Sequence, residues 1–257
     1  MLQNDIHRAL EGQDILLMTH LVLGYPSFAA NRQVVKQMAA AGVELIELQI
    51  PFSEPVADGP VIARACQESI ARGTTVAACL EFAASLSAAH LRTSFLLMTY
   101  YNIVFRLGEE AFLNRARWAR AKGLIVPDLP LEEGADFYRS ARRSGIDPIL
   151  IFAPTTPDAR MHQLEAAADG FIYCVARRGV TGATTAFGPE LDAYLERCRA
   201  ATDLPLAVGF GIRSRADVDH LLGKADVAVI GSETMRIVDE KGPDAVGPFL
   251  EGLRDSR

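Results

Sequence analysis

Lysine is scarce in this chain, and the shortage excludes one kind of chemistry. The four lysines are Lys36, Lys122, Lys224 and Lys241, and none falls at the C-terminal end of a strand candidate. A Schiff-base nucleophile would have to sit there, so that mechanism is excluded. The four cysteines, Cys66, Cys79, Cys174 and Cys198, are scattered without CxxC spacing. They read as buried thiols in a reducing compartment, not as a disulfide framework or a zinc site. Of five histidines, only His20 lies in a strand candidate, and no His/carboxylate cluster has metal-ligand spacing. His20 therefore reads as a satisfied core residue, and no metal is expected. Apolar runs long enough to span a bilayer are missing. So is a block of like charge: charged residues are 23% and the net charge is −6, which points away from nucleic acid. The first residues lack a charged segment followed by an apolar one, so secretion is not expected. The expectation is a soluble cytoplasmic protein acting on a small molecule.

What is present is apolar and periodic. The chain has 257 residues, 49% of them hydrophobic, enough to bury one large core. Strand-length apolar runs at 15–24, 43–50, 93–100, 124–128, 147–154, 170–176, 204–212 and 226–231 alternate with helical periodicity. The helices are expected over 31–41, 60–72, 76–88, 109–122, 132–144, 157–168, 189–201 and 215–222, with a short one at 233–239. Unbroken β-α alternation implies a parallel sheet, and eight repeats at this length fit an α/β (β/α)8 TIM barrel. An open doubly wound sheet is the alternative. However, LGYP at 23–26, after the first strand, lacks the dinucleotide-binding glycine spacing, and no Pro/Gly/Ser-rich linker divides the chain. Residues 1–257 are expected to form a single barrel domain.

The most informative stretch is 44–60, ELIELQIPFSEPVADGP. Glu47 lies within an apolar run, and lost hydration favours the neutral form of such an acid. Asp58 lies on the loop beyond Pro51 and is expected to be exposed and ionised. Two carboxyls in contrasting environments can divide acid and base roles between them. The bland reading pairs Glu47 with an arginine on a neighbouring strand and makes Asp58 a helix cap. Strand alternation weighs against it. Val43, Leu45, Glu47 and Gln49 share one face, while Ile46, Leu48 and Ile50 face the helices. Barrel sites lie where strands run into their following loops, so Glu47 is expected in the mouth.

Glycines mark the late strand ends: GVTG at 179–182, GFG at 209–211, and Gly231 before Ser232. Glycines there let backbone N–H groups approach an anion, and a helix N-terminus adds a favourable dipole. A phosphorylated substrate is expected. Taken alone, Tyr173 on the sixth strand reads as core.

These residues resemble the tryptophan synthase alpha chain family along nearly the whole chain. The strongest motif is IPFSEPVADGP at 50–60. HLVLGYP at 20–26, LMTYYNIVF at 97–105, PDLPLEE at 127–133, GVTG, GFGI at 209–212 and IGS at 230–232 support it. The resemblance implies a carbon–carbon lyase that converts indole-3-glycerol phosphate to indole and glyceraldehyde 3-phosphate by a cofactor-free retro-aldol reaction. It implies that Glu47 is the main acid–base group, that Asp58 binds the indole N–H, and that Tyr173 positions the substrate. Phe210, Tyr100 and Thr181 would bind substrate, and Gly182, Gly211, Gly231 and Ser232 the phosphate. It further implies a beta-chain partner carrying pyridoxal phosphate, in an alpha-beta-beta-alpha complex, with Pro55, Asn102 and Pro130 at contact positions. Two residues depart from the common family pattern. Gln49 stands where glycine is usual and is expected to reach Glu47 or narrow the indole pocket, and Glu54 stands where aspartate is usual. Two alternatives stay open: a stand-alone indole-releasing lyase, and a weakly catalytic partner that activates a beta chain.

Overall fold

The computed structural model describes residues 2–175, 188–209 and 211–254. Eight strands close into one parallel barrel in chain order: β1 (Leu16–Val22), β2 (Leu45–Gln49), β3 (Ser94–Met98), β4 (Gly123–Ile125), β5 (Asp147–Phe152), β6 (Ile172–Val175), β7 (Leu206–Gly209) and β8 (Val227–Ile230). All eight expected strands are present, each shorter than its apolar run. β8 pairs with β1 through Leu16–Val227 to Thr19–Ile230 and shuts the sheet, so the open doubly wound alternative is not adopted.

The helices around the barrel are α1 (Leu2–Leu10), α2 (Phe28–Ala40), α3 (Pro60–Ala71), α4 (Val76–Ala89), α5 (Tyr101–Leu107), α6 (Glu109–Trp118), α7 (Leu131–Arg143), α8 (Asp158–Glu165), α9 (Pro189–Ala201), α10 (Arg215–Leu221), α11 (Ser232–Lys241) and α12 (Val246–Leu253). Local chemistry sets many of their ends. Ser27 and Thr75 accept hydrogen bonds from the N–H groups of Ala30 and Ala78, capping α2 and α4. Ser214 and Asp217 form a capping box on α10. Pro60 opens α3, where its missing N–H costs nothing. α6 stops at Trp118, before the expected 122, and Arg120 turns the chain at φ 57°. No helix among the described residues is long and apolar enough to cross a membrane.

Strand alternation divides the core into two layers. Leu17, Leu21, Ile46, Leu48, Phe95, Leu97 and Val208 point outward and pack with the helices. Leu16, Met18, Leu45, Leu96, Met98, Ile125, Ile149, Ala207, Val227 and Val229 fill the barrel interior. Each Leu, Ile, Val, Phe or Met among them contributes about 1.5–3 kcal/mol by leaving water. Val43, expected to share the face of Glu47, packs in the outer layer because it precedes the regular strand.

Three helices escaped the sequence reading: α1, α5 and α12. α1 closes the end of the barrel opposite the mouth. Its Leu2 and Ile6 join the interior cluster, and the Leu2 N–H donates to Asp147 Oδ2 at 2.8 Å. Among the described residues, the cavity inside the barrel lies at the C-terminal mouth.

Candidate active site

Strand register brings the first two polar side chains together. His20 on β1 lies directly opposite Glu47 on β2, and both point inward. His20 Nδ1 is 3.3 Å from Glu47 Oε1, and each side chain is only 5% exposed. The ionic neighbour of Glu47 is thus a histidine, not the arginine of the bland reading. His20 Nε2 and Glu47 Oε2 are buried with no hydrogen-bond partner among the described residues. Burial alone would lower the imidazole pKa. The charge and hydrogen bond of Glu47, with the charge of Asp58 and a smaller polar contribution from the Gln49 side chain, outweigh it and raise the value.

Two residues beyond Glu47 on the same face, Gln49 is fully buried. It does not reach Glu47 as expected. Its Nε2 donates to Asp58 Oδ2 at 2.7 Å, because the loop after β2 folds back over the mouth. The Tyr100 hydroxyl donates to the same oxygen at 2.8 Å and accepts from the Ala57 N–H at 3.1 Å. The Phe52 ring stacks on Tyr100 with centroids 5.1 Å apart. These contacts draw Asp58 inward, so it is half-buried where exposure was expected. Burial raises its pKa most. The His20 charge and the Tyr100 and Gln49 hydrogen bonds oppose the rise, and the Glu47 charge adds to it. Asp58 is no helix cap either: Gly59 occupies that position of α3, with no side-chain bond.

Tyr173 reaches the same cavity from β6. Burial pushes its phenol pKa well up, and the charges of Glu47 and Asp58 push it further. Gly209, its neighbour on β7, leaves room for the ring. A Cβ there would lie 2.9 Å from both Cε1 and the hydroxyl of Tyr173. The rest of the wall is largely apolar, with Ile62, Met98, Ile125, Ile151 and Val229. Such a slot suits a flat, uncharged ring system, with the polar groups fixing its orientation.

The rim beyond β7 and β8 is lined by Gly211, Gly231 and Ser232, and Ser232 opens α11. Thr181, Gly182 and Phe210 lie outside the described residues, as does the rest of 176–187. The sequence reading missed Arg213 and Arg236 on this rim. Arg236 Nη1 donates to Glu233 Oε2 at 2.9 Å, and Arg213 Nε lies 3.6 Å from the same oxygen. Arg213 directly follows the GFGI motif, and Arg236 sits one helical turn after Ser232. That spacing was the available signal.

Outside the mouth, Val56 and Phe105 are 70% and 69% exposed. Asn102 and Pro130 are exposed as well, whereas Pro55 is buried against its own chain.

Fold and site together define a (β/α)8-barrel enzyme whose pocket opens at the C-terminal ends of the strands. Comparison with known proteins sharpens this class. The family profile described as tryptophan synthase alpha chain matches residues 7–247. The tryptophan synthase alpha chain of Desulfotalea psychrophila is 59% identical over 253 residues, covering 98% of this chain and 99% of the relative. That of Syntrophotalea carbinolica is 51% identical, covering 99% and 100%. Among solved structures, a Mycobacterium tuberculosis tryptophan synthase chain superposes with a TM-score of 0.90 at 29% identity, covering 98% of this chain and 96% of that one. A chain of the Pyrococcus furiosus tryptophan synthase complex gives 0.84 at 29% identity, covering 93% and 97%. The chain belongs to the tryptophan synthase alpha chain family.

Proposed function

We propose that Glu47, Asp58 and Tyr173 carry the reaction of this family in this chain. The chain is a lyase of tryptophan biosynthesis that cleaves indole-3-glycerol phosphate. In our reading Glu47 gives a proton to C3 of the indole, and the ring becomes a cation with its charge shared onto nitrogen. Asp58 accepts a hydrogen bond from the ring N–H and stabilises that charge. Glu47, now a carboxylate, takes the proton from the hydroxyl on the adjoining glycerol carbon. The carbon–carbon bond breaks, and its electron pair returns to C3 and restores the aromatic ring. The glycerol carbon becomes the aldehyde of glyceraldehyde 3-phosphate. One proton enters at C3 and one leaves the hydroxyl, so Glu47 ends as it began. No redox step or cofactor is needed in this chain.

Tyr173 and Tyr100 are assigned to orienting the substrate, and Thr181 and Phe210 to covering it. We assign the phosphate to backbone N–H groups of Gly182, Gly211, Gly231 and Ser232, helped by the α11 dipole. Arg213 and Arg236 supply positive charge to that rim. What supports this reading most is that Glu47, Asp58 and Tyr173 line one cavity with an otherwise largely apolar wall.

We further infer that residues 1–257 act as one domain and pass indole to a beta chain bearing pyridoxal phosphate, in an alpha-beta-beta-alpha assembly. The similar solved structures support this, being tryptophan synthases and including a complex. Exposed Val56 and Phe105 offer apolar area near the mouth for such a partner. Four buried free cysteines agree with a reducing cytoplasmic setting. Indole release from indole-3-glycerol phosphate, measured with and without a beta chain, tests the reading. We expect release that rises when beta chain is added and falls about 10²-fold or more in Asp58→Asn. High release indifferent to beta chain favours the stand-alone lyase, and none under either condition favours the non-catalytic partner.

A further inference from the structure

The reaction above gives His20 no role, yet no polar side chain lies closer to Glu47 in strand register. The two residues face each other across β1 and β2, so backbone pairing fixes their relation. With Nδ1 donating to Glu47 Oε1, each residue keeps one further polar atom, His20 Nε2 and Glu47 Oε2. Both residues line the cavity, and both atoms are buried without a partner among the described residues. A buried polar atom without a partner carries a penalty of about 1–3 kcal/mol, and one on each member of a facing pair calls for an explanation.

We propose that His20 is the positioning and proton-holding partner of Glu47, the pair holding the single proton that Glu47 delivers to the substrate either on Oε2 or as the imidazolium, whose Nδ1 proton is the one passed to the carboxyl. The proposal rests on the acid–base assignment of Glu47. The Nδ1–H bond orients the carboxyl with Oε2 toward the substrate and stabilises the carboxylate once the proton has moved to C3. The hydroxyl proton returned to Oε2 then restores the pair. Nothing is consumed, and His20 acts only through Glu47.

The surrounding charges favour keeping that proton. Glu47 faces His20 from β2, and Asp58 faces it from the loop that follows. Tyr173 lines the cavity from β6 with its phenol held neutral. From β8 and α11 come Gly231, whose Cβ position would be 3.9 Å from that of His20, and the Glu233–Arg236 pair. Arg213 from beyond β7 completes the rim. Two acidic groups close to one imidazole raise its pKa despite burial. The imidazole thus keeps its proton to a higher pH than a free histidine, and activity is lost as pH rises through that point. Without the imidazole, Glu47 must hold the proton alone.

The test is the pH profile of kcat for indole release by the full chain, comparing wild type, His20→Asn and His20→Phe. Asparagine keeps a donor near the Nδ1 position and cannot titrate. We expect the basic limb to move to lower pH by about one unit or more in His20→Asn, with kcat recovering on acidification. His20→Phe should lose about 10–100-fold in kcat at every pH, with KM changed far less, as misorientation of a catalytic group predicts. An unmoved basic limb in His20→Asn overturns the proposal, and so does a full kcat in His20→Phe. Affinity for glycerol phosphate confirms that each variant is folded. If His20→Asn fails that control, His20→Gln replaces it with the same criteria. Glu47→Gln, assayed alongside, separates the two readings. Its activity would overturn the Glu47 assignment itself, whereas its inactivity beside unaffected His20 variants overturns only the pair.

Discussion

Gln49 Nε2 and Asp58 Oδ2 are joined by a hydrogen bond of 2.7 Å, with the amide wholly buried on the face that also carries Glu47. A residue nine positions earlier thereby holds the loop carboxylate at the mouth, in a geometry that a glycine at 49 has no side chain to make. Hydrogen bonds to a charged acceptor are worth about 1.5–3 kcal/mol. Gln49→Leu is therefore expected to lower kcat/KM by about 10-fold or more. Gln49→Glu should be worse at neutral pH, because two carboxylates then face each other, and should partly recover as pH falls. Steady-state kinetics across pH reads both effects.

Gly209 leaves the Tyr173 ring space that any side chain at 209 would enter. A Cβ 2.9 Å from the tyrosine ring and hydroxyl requires the ring to move within a packed interior. Gly209→Ala should lower kcat/KM by about 10²-fold, the scale expected when a positioning group shifts by roughly 1 Å. Unchanged kinetics would remove Tyr173 from the positioning role.

Asp58 exchanges stability for chemistry. Burial raises its pKa in the folded chain above the unfolded value, so its favourable contribution is complete at low pH and disappears as pH rises through the folded value. Asp58→Asn should thus melt at higher temperature than wild type at neutral pH. The advantage should shrink as pH falls into the carboxylate range. Thermal unfolding at several pH values checks the sign, and indole release measures the accompanying loss of activity.

Asp147 anchors the helix that closes the barrel floor. It is 5% exposed and accepts the Leu2 N–H at 2.8 Å. Asp147→Ala leaves that buried donor without its partner and should destabilise the protein by about 1–3 kcal/mol. Denaturant unfolding measures the cost, and the catalytic constants should change little because the mouth lies at the other end.

The barrel was readable because apolar runs and helical periods alternate eight times, and the inward aim of Glu47 followed from period-two alternation on β2. α1 was not readable as an element, since its apolar residues are few and its role depends on the Asp147 contact 145 positions away. The same limit applied to His20. Nothing local distinguishes a core histidine from one facing Glu47, because the pairing is set by register between two strands. Asp58 was read as exposed because its loop is polar, and the Tyr100 and Gln49 bonds that pull it inward come from separate positions. Arg213 and Arg236 went unread because an arginine near a turn or on a helix is locally indistinguishable from a solvated surface charge.

The central claim is that Glu47 moves the proton, and Glu47→Gln tests it most directly. Purified variant and wild type, each saturated with beta chain, are given indole-3-glycerol phosphate and indole is followed, while glycerol phosphate binding is titrated separately. An amide of the same shape cannot exchange the proton, so kcat should fall by about 10²–10⁴-fold or more with binding nearly unchanged. Turnover within a few-fold of wild type, with binding intact, would contradict the account and move the acid–base role to another residue.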